Sequence, residues 1–402
     1  MDDHPTDLEQ PWHAPPDQAA LRARAYNLRW AETDDDVIPL TAADPDLPTA
    51  EVVTAAIRDY VDAPHLCYGP ARGLPEFRAA VARHFSDEKR ASTDPDRVLA
   101  TNSAANAIAL VARHLIAPGD EVVIQDPVDF LVAESARRAG AALRLWSPEG
   151  GKYTVAGLAA AVTERTRLVS VCHPHNPLGA LWSPSEVEEL AGFCAERELQ
   201  LISDEVWSDV VLRGAPFASF AAHARDAFEP WVVYGLSKGY GLAGLRIGAV
   251  VAPDEDRAAR FALEAGFEHT IEGAATLSQV AAVAALEHAG DWRRQFLTHC
   301  EAQQQLAHQR LAALRGVRSA GPPPATFVAF VDARETGIDE ATLAARIEAH
   351  ARVRVVPGSP RWFGPGAAGH LRFSLATTRA TLCEALDRVE AAWEKDVCAA
   401  GG

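Results

Sequence analysis

The sequence predicts an α/β protein: a large, mixed but mostly parallel sheet domain, followed by a smaller α+β domain. Three observations carry this reading. Between residues 44 and 285, short apolar runs alternate with amphipathic stretches, the rhythm of parallel strands joined by helices. Several runs are apolar throughout, as strands covered on both faces must be. After residue 285 the alternation gives way to a long helical stretch and then a mixed order of strands and helices.

The elements follow in order. Residues 1–18 are polar and proline-rich, and residues 1–43 are read as an arm that packs with the small domain. The large domain spans 44–285 and the small domain 286–402. Strands are predicted at 98–101, 121–125, 143–146, 168–172, 199–203, 231–234 and 247–251. Helices fill the gaps, among them 104–116 and 184–197. The second opens with Ser183 as N-cap, Pro184 in the first helical position and Glu186 three residues after the cap. Residues 278–314 read as one long helical stretch. Apolar runs follow at 327–331 and 353–356, with a helix near 341–351, a loop at 358–369, a strand at 371–375 and a last helix from Thr378.

Composition narrows the function. The chain has 402 residues, 48% of them hydrophobic and 23% charged, enough to build two folded domains. Its net charge of −17 argues against nucleic acid, whose affinity comes from neutralising phosphates. No apolar run reaches the roughly 18 residues of a spanning helix, and the acidic start lacks the pattern of a signal peptide. Six scattered cysteines without metal-ligand spacing read as reduced thiols of a cytoplasmic protein.

Ligands of open parallel sheets bind beyond the carboxyl ends of the strands. Four such ends carry polar residues. Thr101-Asn102-Ser103-Ala104-Ala105 leads into a helix whose free N–H groups suit an anion, or simply a capped helix start. His173-Pro174-His175-Asn176-Pro177-Leu178-Gly179 is a tight turn that presents Asn176. Its two histidines have no third ligand nearby, so no metal is expected. Asp204 and Glu205 follow a buried strand, where a carboxylate must meet a cation, solvent or a ligand. Ser237-Lys238-Gly239 opens a glycine-rich stretch that ends at Arg246.

Only four lysines occur, at 89, 152, 238 and 395. Lys89 lies in a polar run read as solvated, Lys152 follows a Gly-Gly turn, and Lys395 is in the last helix. Lys238 alone stands at a strand end. A lysine that binds its cofactor covalently, paired with a carboxylate for a pyridine nitrogen, is the protein signature of pyridoxal phosphate.

From about residue 36 to 391 the chain resembles the fold-type I pyridoxal-phosphate enzymes of the aminotransferase class I/II superfamily. It is most similar there to the MalY/PatB-type cystathionine β-lyase (C–S lyase) branch. The phrases that carry this are DVIPLTAADPDLP at 36–48, CHPHNPLG at 172–179, SDEVWSD at 203–209 and Leu371-Arg372-Phe373-Ser374. The resemblance implies pyridoxal 5′-phosphate as cofactor and the large domain as its binding domain. It implies Lys238 as the attachment point and acid–base group, and Asp204 as partner of the pyridine nitrogen. Asn176 would hold the ring oxygen. Ser103, Ala104, Ala105, Ser237 and Arg246 would hold the phosphate, and Trp207 would line the ring. Tyr68 would reach the phosphate of a neighbouring subunit, giving a homodimer with shared active sites. Arg372, with Ala43 nearby, would hold the substrate carboxylate.

Four positions depart from the pattern. Asp129 stands where many relatives have an aromatic residue stacked on the cofactor, so either Phe130 takes over the stacking or the ring face is polar. Trp207 replaces a tyrosine common in aminotransferases and is familiar among the lyases. Gly235 lies where a phosphate-binding hydroxyl is common. Arg246 is more typical of aminotransferases. The favoured reaction is β-elimination from a cysteine S-conjugate, giving thiol, pyruvate and ammonia. The alternatives are an aminotransferase, a secondary-metabolism member that processes an S-cysteine conjugate by decarboxylation or oxidative deamination, as some lincosamide-pathway relatives do, and a catalytically lapsed binding module.

Overall fold

The structure is a computed structural model that describes residue 12 and residues 16–223, 228–269 and 272–398. Its centre is a seven-stranded sheet. We number its strands β1 (Val98–Thr101), β2 (Glu121–Gln125), β3 (Ala142–Trp146), β4 (Thr166–Cys172), β5 (Gln200–Asp204), β6 (Trp231–Gly235) and β7 (Gly248–Val251). The spatial order is β1-β7-β6-β5-β4-β2-β3. β7 runs antiparallel to both β1 and β6, and every other pairing is parallel. The carboxyl ends of β1, β2, β4, β5 and β6 therefore share one edge.

All residues of β1, β2, β6 and β7 are buried. Alternate side chains feed two apolar clusters, one on each face. Val98, Ala100, Val169 and Val171 enter the first; Leu99, Leu168, Ile202 and Val233 enter the second. Burying each large apolar side chain contributes roughly 1.5–3 kcal/mol. The outer strand β3 is largely exposed, in keeping with its edge position.

The helices that frame the ligand edge are α1 (Ala104–Leu115), α2 (Phe130–Arg138) and α3 (Pro184–Glu196). Ser103 caps α1 by accepting from Asn106 N at 3.1 Å. Ser183 caps α3, and the Glu186 carboxylate accepts from the Ser183 N–H at 2.7 Å, the predicted capping box.

The helical stretch after residue 275 is two helices, α4 (Thr276–His288) and α5 (Gly290–Leu311), rather than one. At Ala289 the backbone leaves helical values (φ −95°, ψ 21°), and the next residue is Gly290, which favours the helix weakly. Beyond lies a three-stranded antiparallel sheet with β8 (Val328–Asp332) beside β10 (His370–Ser374) and β9 (Val356–Pro357) on its outer side. The apolar run at 353–356 divides: Val353–Arg354 pairs in parallel with Ile38–Pro39, while Val356 begins β9. The loop at 358–369 contains two helical turns, Pro360–Phe363 and Pro365–Ala367. Helix α6 (Arg379–Ala392) is capped by Thr378.

Most of the arm at 1–18 lies outside the described residues. Trp12 is buried at 4% exposure, edge-on to Trp292 at 5.5 Å. Trp30, Ile38 and Leu40 join the apolar cluster of the three-stranded sheet.

Lys89 is not solvated as its sequence context implied. It is 4% exposed, and its Nζ donates to Asp209 Oδ1 at 3.0 Å and Ser208 Oγ at 2.6 Å. Asp209 also meets His84 at 2.8 Å and the Tyr234 hydroxyl at 2.5 Å. Burial opposes its ionisation, but His84 and Lys89 outweigh that and hold its carboxyl well below the usual range. Removing one partner from such a buried ion cluster costs about 3–5 kcal/mol, so this lysine is committed to the core.

Candidate active site

β4 and β5 are in register with Cys172 beside Asp204, which places the Asp204 carboxylate at the ligand edge. It is 6% exposed, and its Oδ1 accepts from Val206 N at 3.1 Å. Burial pushes its carboxyl up to about 7, and the Asp129 charge adds to the rise while Lys238 opposes it. A carboxyl with so little stabilisation of its own charge is suited to a cationic partner.

Lys238 lies three residues beyond β6. Its Nζ donates to the Ala43 carbonyl and stands 5.4 Å from the centre of the Trp207 ring. Trp207 is 1% exposed and tilted against Phe327 at 4.8 Å. Burial pushes the Lys238 amine below its ordinary value, Arg372 adds to this, and Asp44, Asp129 and Asp204 oppose it. A lowered lysine pKa favours the free, nucleophilic amine.

The loop at 41–46 serves two charged groups at once. Ala43 O takes Lys238, and Thr41 O accepts from Arg372 NH2 at 2.9 Å. A buried ion pair fixes the loop: Arg29 meets Asp46 at 3.2 Å, and Trp30 Nε1 donates to Asp46 Oδ2 at 2.9 Å. Arg29 NH2 also donates to Asp44 O at 2.5 Å.

Arg372, on β10, is 6% exposed. Its NH1 donates to Asn176 Oδ1 at 3.4 Å, and its guanidinium lies 5.0 Å from the Phe363 ring centre. Burial lowers its pKa to about 10, which still leaves it charged at neutral pH. Its Nε is buried without a hydrogen-bond partner among the described residues. Asn176 is 3% exposed and donates through Nδ2 to Asp129 Oδ2 at 2.9 Å.

Farther along the same sheet edge, beyond β1, lies the N-terminus of α1. Arg246 NH2 donates to Ser103 Oγ at 3.1 Å. Ala104 is buried and Ala105 half-buried in the first turn of α1. Gly248, paired with both Thr101 and Gly235, lies against this turn: a Cβ there would stand 2.6 Å from Ala104 N.

The structure thus brings together Lys238, Asp204, Asn176, Trp207, Ala43 and Arg372, and separately Ser103, Ala104 and Arg246. Ser237 is half-buried. Phe130 is turned outward, 38% exposed, with its ring edge-on to Trp362 at 5.4 Å. Tyr68 is 93% exposed in the single chain. Sequence reasoning missed Thr41, Asp44 and Arg29 as supports, and it left Asp129 undecided. The DVIPLTAADPDLP phrase holds the signal for the first two, since it joins a strand to a loop with closely spaced carboxylates. Arg29 had no signal, because its partners lie 15 and 17 residues away, at Asp44 and Asp46.

Comparison with known proteins adds context. The sequence profile described as aminotransferase class I and II matches residues 35–389. The chain is 30% identical over 392 residues to an aspartate aminotransferase of Streptomyces avermitilis, covering 92% of each protein. It is 26% identical over 389 residues to cystathionine β-lyase PatB of Bacillus subtilis, covering 94% of this chain and 99% of that one. The solved structure of a putative aminotransferase from Clostridium difficile 630, with pyridoxal phosphate bound, superposes with a TM-score of 0.85 at 21% identity. That match covers 95% of this chain and 99% of the other and is a likeness of fold.

Proposed function

The chain belongs to the aminotransferase class I and II family, has the type I fold of pyridoxal-phosphate enzymes and takes pyridoxal 5′-phosphate as cofactor; from that premise we propose that it is a carbon–sulfur β-lyase acting on a cysteine S-conjugate. The residues present fit the cofactor. Gly248 leaves open the approach to the α1 N-terminus, where free N–H groups suit a phosphate. Asp204 suits a protonated pyridine nitrogen, and Lys238 supplies the amine.

The observation that carries the reading is the Lys238 amine, half-buried against the Ala43 carbonyl and Trp207, with the buried Asp204 carboxylate and the buried Arg372 guanidinium close enough to bear on its charge. When bound, the cofactor supplies the sink for the electron pair left at Cα. Arg372 binds the substrate carboxylate with two parallel hydrogen bonds. Lys238 takes the α-proton. Asp204 would hold the proton on the cofactor's pyridine nitrogen as its carboxylate partner. The Cβ–S bond breaks and the sulfur leaves as thiolate. With one water consumed, the products are thiol, pyruvate and ammonium.

Trp207 favours elimination over transamination. It is buried against Phe327, and it puts an indole where the resemblance expects aminotransferases to have a hydroxyl for the ring oxygen. The second reading is an aminotransferase, favoured by the contact of Arg246 with Ser103. We read the working unit as a homodimer in the cytoplasm, in which Tyr68 serves the site of the other copy. Its exposure supports this, as does that of Leu66 at 67% and Val61 at 48%. Incubation with cystathionine and S-methylcysteine tests the reaction. A lyase releases pyruvate in step with thiol and needs no keto-acid acceptor. Turnover that requires an added keto acid, and converts it to its amino acid, overturns the lyase and leaves the aminotransferase.

A further inference from the structure

Asp129 belongs to none of the roles assigned above, yet it touches the site through two elements. One carboxylate oxygen accepts from Leu131 N at 3.1 Å, capping α2. The other accepts from Asn176 Nδ2 at 2.9 Å, and Asp129 N donates to Asn176 O at 3.2 Å. On the far side of the Asn176 amide stands Arg372 NH1, 3.4 Å from Oδ1.

An asparagine amide has two chemically different ends, and its neighbours decide which way it points. An ionised carboxylate only accepts, and a guanidinium only donates. Between Asp129 and Arg372 a single orientation satisfies both: NH2 toward the carboxylate and oxygen toward the guanidinium. One of the two amide N–H groups then remains for another acceptor. With a phenyl or indole ring at position 129, only the 3.4 Å contact with Arg372 would favour that orientation.

We propose that Asp129 is a positioning residue: it locks the Asn176 amide in the orientation that offers a donor to the cofactor and an acceptor to Arg372. It acts through Asn176 rather than on the reacting atoms. The inference deepens the functional reading and rests on it for the role of Arg372 as carboxylate clamp; the amide orientation itself does not depend on that reading.

Two variants separate this role from helix capping. Asn and Ser cap a helix about as well as Asp. In Asp129→Asn, the single side-chain oxygen serves Leu131 N, and the NH2 group then faces the donor end of Asn176. Relief of that clash reverses Asn176 and turns its NH2 toward Arg372, which has no acceptor. Asp129→Ser keeps the cap but is too short to hold Asn176. Both variants should melt near the parent temperature. Asp129→Asn should shift the visible absorption of the holoenzyme and weaken binding of S-methyl-L-cysteine, titrated by that absorption, by about tenfold or more, the scale of one hydrogen bond to a charged group. Asp129→Ser should shift the absorption in the same direction. Parent-like absorption and affinity in both variants overturn the proposal, as does a loss of melting temperature with both unchanged. A crystal structure of Asp129→Asn reads the claim without cofactor or turnover. Asn176 reversed, or Arg372 withdrawn from it, is expected; an undisturbed Asn176–Arg372 pair refutes the lock. A parent protein that binds no cofactor would refute the functional reading alone.

Discussion

Asp204 carries a tension between folding and chemistry. Burial pushes its carboxyl to about 7 in the cofactor-free chain, whereas a partner for a pyridinium must be ionised. Two consequences follow for Asp204→Asn. Cα–H cleavage should slow by at least ~10²-fold, or roughly 2.7 kcal/mol, by analogy with other preorganised electrostatic groups; near-parent kcat with cofactor bound would refute the role. The second consequence concerns stability without cofactor. A carboxyl whose folded pKa lies above its ordinary 3.8 stabilises the fold fully below that value and loses this as pH rises toward about 7. The variant lacks this titration, so it should gain stability relative to the parent across that window. Denaturant melts of both proteins at pH 4, 5.5 and 7 read the difference, in which the titrations of Glu205, His173 and His175 cancel. At this scale the sequence exposed Asp204, Asn176 and Lys238, because strand ends and tight turns are written in local residue types, whereas Arg372 was named only through the resemblance. It hid Lys89 and Asp129. A lysine in a charged run looks solvated until Asp209 arrives from 120 positions away, and the direction of Asp129 depends on a turn at 173–179.

Among the elements, the strand–turn–helix from β1 into α1 depends on the close approach of β7. Gly248→Ala should place a methyl group 2.6 Å from Ala104 N, so the turn or the strand must give way. Overpacking of this kind costs about 1–3 kcal/mol. Cofactor affinity, followed by absorption or fluorescence titration, should fall about tenfold or more, while α3, far along the sheet, keeps its capping box. Unchanged affinity would mean that this turn does not hold the phosphate. Strands and capped helices were legible because burial on both faces and the Ser183-Pro184-Ser185-Glu186 cap are local patterns. The break at Ala289 was passed over although Gly290 marks it, because one weak helix former in an alanine-rich stretch without proline leaves the periodicity unbroken. The split of the 353–356 run was equally hidden, because pairing partners at Ile38 and Arg372 decide it.

For the whole molecule, residues 52–68 present a line of exposed side chains, Val52 at 38%, Val61 at 48%, Leu66 at 67% and Tyr68 at 93%. A monomer gains nothing by exposing them together. Sedimentation should give the mass of two chains, and dilution to monomer should abolish turnover; a fully active monomer would refute the shared site. Such an assembly is expected only from the resemblance, because one chain's sequence does not say what covers an exposed tyrosine. Sheet, loop 41–46 and the three-stranded sheet converge on one amine, and that convergence is the central claim. Four lysines make the most direct test tractable: reduce the holoenzyme with borohydride, digest it and locate the cofactor-labelled peptide. The label is expected on Lys238 alone. A label on Lys89, Lys152 or Lys395 in its place, or no stable label, would contradict the account.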